Sequence, residues 1–248
     1  MIILKSDAEI ELMREAGRIV AECHAMLEPI IQPGITTLDI DRLVEEKIRK
    51  RGAVPSFKGH QGFTASICTA KNDVICHAFP DSHPLAEGDV VTIDIGAFYK
   101  GFHGDSGWTY AVGHVSQDLE ELMKACHQSL LLGIEQAIVG NRIGDIGYAI
   151  EHFAQQSGYG NVREFTGHAV GRELWEEPTV PNYDSKGKGP RIKKGMVLVI
   201  EPMFTLGDAR AYHEDDGWTA RTVDHSICVQ FEHTVAITDD GPRILTVL

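Results

Sequence analysis

EGDVVTIDI at residues 87–95 and KKGMVLVIEP at residues 193–202 decide the fold. Laid over one another they place Asp94 on Glu201, each a carboxylate inside an apolar, β-branched run that reads as a buried strand. The register extends outward. EIELMREA (9–16) falls on LEELMKAC (119–126), with Leu12 on Leu122, and PGITTLDI (33–40) falls on VGNRIGDI (139–146), with Gly34 on Gly140 and Asp39 on Asp145. The offsets of 110, 106 and 107 stay nearly constant across three segments, which marks an internal duplication. Each half reads helix, helix, strands. Ser6, with Glu9 three residues on, is a capping box opening a helix over 7–31, and Thr37–Arg51 is a second helix closed by Gly52. Residues 53–110 carry short β-branched runs between glycines and read as antiparallel strands. Helices follow over 118–137 and 145–156, the latter stopped by Gly158, before a second set of strands. The expected architecture is α+β. It is a single domain over 1–248 with pseudo-twofold halves of about 1–114 and 115–248, its helices packed on the outer face of a curved antiparallel sheet.

Composition narrows the function. A chain of 248 residues with 43% hydrophobic and 24% charged residues belongs to the globular class. Its formal charge of −13, with no stretch of lysine and arginine read as dense enough to neutralise a run of phosphates, argues against a nucleic-acid partner. Cys23, Cys68, Cys76, Cys126 and Cys228 are odd in number and form no CxxC pair, which fits a reducing cytoplasm. The first residues lack the apolar run of a signal peptide, and nothing approaches 18 consecutive apolar residues, so no membrane span is expected.

The acids carry the chemistry. Asp94 in TIDIG is followed by a turn at Tyr99–Gly101 and a return strand with Asp105 in FHGDSG, so a hairpin brings the two roughly opposite one another. Facing like charges are destabilising unless one is protonated or a metal holds them. The strand VQFEHTVAIT sets Glu232 and Thr234 on one face and His233 on the other, and His168 stands in FTGHAVGRE. Two aspartates, two glutamates and one histidine offer hard oxygens and a single imidazole. That donor set suits a pair of divalent ions such as Mn, Fe, Co or Zn.

The series His77 in NDVICHAFP, Asp94 in TIDIG, Asp105 in FHGDSG, His168 in TGHAVGR, Glu201 in IEPMF and Glu232 in FEHT resembles the methionine aminopeptidase family in its short bacterial form. The similarity spans nearly the whole chain. It implies the duplicated pita-bread fold and removal of N-terminal methionine before a small second residue, by attack of a hydroxide bridging two metal ions. It further implies Asp94 as a terminal ligand, Asp105 and Glu232 as bridges, and His168 and Glu201 on the other ion, with Glu201 relaying a proton and His77 contacting substrate. Phe57, His60, Phe63, Cys68 and Trp218 match the family's side-chain pocket, although Phe57 and His60 replace what are often cysteine and tyrosine. Asn72, Val74 and Cys228 match a monovalent-cation site. A monomer with transient ribosome contact is the family expectation.

Two departures stand out. In HAVGRELWEEP the family's second histidine is replaced by Trp175, with Glu176, Glu177 and Pro178 fixing the register. Indole donates one hydrogen bond and cannot titrate, and an oxyanion donor is typically worth roughly 3 kcal/mol, or about 100-fold in turnover, so a slow or differently selective peptidase is expected. The bland reading is that Trp175 packs over the rim. Gln61 in GHQG replaces a histidine of the family pattern. An Xaa-Pro peptidase and a non-catalytic binding protein share the scaffold. The former usually carries a further N-terminal domain, and the latter usually loses ligands that are all present here.

Overall fold

A computed structural model describes residues 1–183 and 186–248. Among these, α1 (Asp7–Leu27) and α2 (Thr37–Lys50) precede five strands, and α3 (Gln117–Gln136) and α4 (Ile143–Ser157) precede ten more. The capping box forms at α1, where the Ser6 side chain accepts the Glu9 N–H and the Glu9 carboxylate accepts the Ser6 N–H. The helix ends at Leu27 rather than 31, because Pro29 has no N–H for the carbonyl of Ala25. α4 begins earlier than expected. Asp145 is its third residue, not its first, and accepts the Arg142 N–H at 2.8 Å.

In the first half the strands Val90–Tyr99 and Phe102–Ala111 form a continuous antiparallel hairpin. Its turn is two residues, Lys100 and Gly101, both at positive φ, as a tight hairpin of this twist requires. Asp94 and Asp105, expected roughly opposite one another, are offset by one diagonal step: Asp94 pairs with Gly107 and Asp105 with Gly96. The acids are diagonal neighbours on one face. Gly107 matters here, since a Cβ on it would lie 2.9 Å from a Glu232 carboxylate oxygen.

The corresponding hairpin of the second half is cut. Val197–Ile200 pairs with His233–Thr238, and Met203–Thr205 pairs with Cys228–Gln230, leaving Glu201–Pro202 and Phe231–Glu232 between the two ladders. Pro202 has no N–H to give, and the Glu232 N–H turns to the Gly107 carbonyl at 2.8 Å in the other half. Trp108 and Phe231 form a bridge beside it. The sheet expected as one curved surface is thus four separate sheets among the described residues, and the halves are joined where the second ladder breaks.

Helices cover the strands on both halves. Ile19, Val20, Ile40, Val44 and Ile48 pack with Val91, Ile93 and Ile95, while Leu122, Leu130, Ile146 and Ile150 pack with Leu198, Ile200 and Val235. No described helix is long and apolar enough to cross a membrane. α1 crosses the Phe102–Ala111 strand so closely that a Cβ on Gly104 would lie 2.5 Å from the backbone nitrogen of Gly17. Gly104→Ala must separate two backbones and is expected to destabilise by about 1–3 kcal/mol, read as a lower urea midpoint at unchanged m.

Candidate metal centre

The strand pleat and the break in the second ladder turn four carboxylates and one imidazole toward a cavity of about 430 Å³. Asp94, Asp105, His168, Glu201 and Glu232 all line it, Asp105 and Glu232 being only 3% and 2% exposed. Oxygens of Asp94, Asp105 and Glu232 lie within 4.8 Å of one another. His168, in the strand Gly167–Ala169, brings Nε2 to 3.9 Å from Asp105 Oδ2 and 3.9 Å from Glu201 Oε1.

Such a cluster is costly without cations. Burial pushes the Asp94 carboxyl up to about 7. Asp105 is raised well above the usual range by burial and then by the charges of Asp94 and Glu201. Glu201 and Glu232 are raised by burial first and by their acidic neighbours second. Burial holds His168 down at about 4, so its ring is neutral at pH 7. A carbonyl only accepts, so Nδ1 must donate to the Ala169 oxygen at 3.0 Å, and Nε2 then presents a bare lone pair to two carboxylates. Asp94 Oδ1 and Asp105 Oδ1 are buried with no hydrogen-bond partner. Lone pairs aimed at negative oxygens, with orphaned oxygens beside them, fit divalent cations held among these five side chains.

Two supports have roles that sequence reading missed, although it set Thr234 on the face of Glu232. Gln230 Nε2 donates to Glu232 Oε2 at 3.0 Å and lies 3.4 Å from Glu201 Oε2, tying the glutamates together. The Thr234 hydroxyl accepts the Asp105 N–H at 3.1 Å and donates to the Asp105 carbonyl at 2.7 Å. Both share the alternation of Glu232 along its chain segment, and that period of two was the available signal.

The residues expected in the substrate pocket line the same cavity: Phe57, His60, Phe63, Cys68, His77, Trp175 and Trp218. Phe63 stacks on Phe79 at 4.6 Å and meets Trp218 edge-on at 5.1 Å, making an apolar wall. His77 has φ 63°, packs 5.6 Å from Phe165, and is held neutral by burial, at about 4. His60 stands edge to face with Trp175 at 4.7 Å, and its Nε2 is buried without a partner. Trp175 lies on the rim, 42% exposed and 6.3 Å from the His168 ring. Gln61 is exposed in the turn preceding Phe63. Asn72 and Cys228 also meet, through a 2.8 Å bond from the Cys228 N–H to the Asn72 carbonyl, with Val74 buried nearby in sequence. All five cysteines are buried and unpaired.

The model of Metallopeptidase family M24 matches residues 11–239. The chain belongs to this family. It is therefore a hydrolase that works with divalent metal, and its α+β architecture is the pita-bread fold. This M24 peptidase is 47% identical to a methionine aminopeptidase of Clostridium acetobutylicum over 247 residues, with 99% of each chain covered. Identity to methionine aminopeptidase 1 of Bacillus subtilis is 47% over 246 residues, again with 99% of each covered. The crystal structure of a methionine aminopeptidase from Thermotoga maritima superposes with a TM-score of 0.98 at 40% identity, each chain fully covered.

Proposed function

We propose that this M24 peptidase removes N-terminal methionine from peptides and nascent proteins whose second residue is small. The observation that carries the reading is the convergence of the five donor side chains on the floor of one apolar-walled cavity, in a chain so similar to methionine aminopeptidases. Two divalent ions, Co, Mn, Fe or Zn, would be held by Asp94, by Asp105 and Glu232 between them, and by His168 and Glu201. When bound, such ions polarise a carbonyl and lower the pKa of water.

The remaining work falls to the chain. Phe57, Phe63, Cys68 and Trp218 form a wall suited to an unbranched thioether and exclude water from it. His77, neutral at pH 7, orients the substrate near the scissile bond by hydrogen bonding. Glu201, buried and linked to Gln230, carries a proton to the leaving amine. Asn72, Val74 and Cys228 would hold a monovalent cation. A single 1–248 domain acting as a monomer in the cytoplasm is the arrangement we assign.

One surface feature tempers the overall acidity. Between residues 186 and 194 the chain reads KGKGPRIKK, five cations that the composition-level reading overlooked. Arg191 and Lys193 line a surface cavity with Arg142, and none of the three has a carboxylate within ion-pair distance among the described residues. This face is the place where a transient ribosome contact would fall.

The test is direct. Protein loaded in turn with Mn, Co, Fe and Zn should release methionine from Met-Ala-Ser. Cleavage of Xaa-Pro peptides alone would assign the prolidase type of reaction instead, and metal binding without hydrolysis of either would make the chain a binding protein.

A further inference from the structure

Lys5 lies in the segment before α1, yet its side chain is buried and only 2% exposed. Its ammonium donates to Glu176 Oε2 at 2.5 Å, and the Glu176 side chain is 4% exposed. The other Glu176 oxygen accepts backbone N–H groups of the preceding loop, from Arg172 at 3.0 Å and Glu173 at 3.4 Å. That loop connects His168 to Trp175, and it is fastened from the far side by the His103 N–H donating to the Gly171 carbonyl at 2.9 Å. Gly171 itself has no room for a side chain: a Cβ there would come within 2.4 Å of Glu176 Oε1 and 2.5 Å of Lys5 Cε. Lys5 is anchored in turn, its N–H donating to the Gly195 carbonyl at 2.7 Å.

A buried ion pair of this kind is a poor source of stability, because desolvating both charges offsets most of their attraction. Apolar side chains of the same size would hold the segment to the core as well. What they would not do is occupy both loop N–H groups and set the direction in which Trp175 leaves the loop. We propose that Lys5 is a positioning residue: through Glu176 it fixes the 171–176 loop so that Trp175 stands against His60 at the mouth of the cavity and shapes the binding of the peptide beyond its first residue. The catalytic part of this inference rests on the proposed function.

Fluorotryptophan labelling separates the two. The chain has three tryptophans, and the ¹⁹F resonance of Trp175 is identified as the one missing from Trp175→Phe. In Lys5→Met the Trp175 resonance should shift or broaden while those of Trp108 and Trp218 hold. Because a lone Glu176 could unsettle the fold, Lys5→Met/Glu176→Met serves as the second variant, since it removes both charges and should keep its urea midpoint. In the double variant KM for Met-Ala-Ser should rise about five-fold with kcat changed less than about two-fold, the pattern of lost uniform binding. An unmoved Trp175 resonance in both variants, or all three resonances moving together, would overturn the assignment. Absence of methionine release by the wild type would instead count against the proposed function, leaving the resonance readout intact.

Discussion

Asp105→Asn is expected to abolish peptide hydrolysis, by about 1,000-fold or more, while making the metal-free protein more stable. The two effects have one cause. Asp105 is 3% exposed, faces the charges of Asp94 and Glu201, and leaves one oxygen without a partner. An amide keeps the shape and removes a buried carboxyl whose charge must be met by cations or cancelled by a proton, so metal affinity collapses as that cost is relieved. A gain of about 1–2 kcal/mol would raise the thermal midpoint by several degrees in a chain of this size. Calorimetry with and without Mn checks both. A metal-free variant less stable than wild type would show that the cluster is satisfied by protons alone.

The same cluster sets a pH dependence with a definite sign. Asp94, Asp105, Glu201 and Glu232 all have their folded pKa raised, so the folded metal-free protein binds more protons than the unfolded chain. Its stability therefore falls as pH climbs from the ordinary carboxylate range, near about 4, through the value of about 7 reached by Asp94. Metal reverses the trend because it displaces those protons, and the stabilisation it adds should grow over the same window. Asp105→Asn should flatten both curves.

Trp175→His is expected to raise kcat by about 10- to 100-fold, with metal affinity unchanged. The indole stands at the rim, edge to face with His60 and 6.3 Å from His168, so the site continues past it toward solvent. An imidazole at this position could reach a developing oxyanion and titrate, neither of which the larger ring provides. Steady-state kinetics on Met-Ala-Ser decide the matter. A variant with unchanged kcat would show that the residue at 175 takes no part in the chemical step.

How far the sequence could be read depended on the range of the interaction. The capping box of Ser6 and Glu9 is local and was legible, as was the duplication that sets Asp94 on Glu201. Asp94 and Asp105 were read as roughly opposite and are diagonal neighbours, because the turn is two residues, Lys100 and Gly101, rather than three, which sets Gly107 opposite Asp94. Helix ends moved for local reasons, Pro29 at α1 and Asp145 at α4. The cut in the second ladder was not foreseen, although Pro202 beside Glu201 was its visible cause. The pairing of Lys5 with Glu176 spans 171 residues and has no periodic signature, so nothing in the linear order could reveal it.

The bond between Asp105 and Thr234 joins positions 129 residues apart, and the Glu232 N–H closes onto Gly107 over nearly the same span. A nascent chain that has emerged through its first hairpin therefore exposes two aspartates with none of their partners yet synthesised. Closing so long a loop is entropically slow, and the contact order of this centre is high even though the helices around it form locally. Catalytic competence should accordingly lag behind helix formation during refolding, with divalent cation captured only as the last long-range contacts lock.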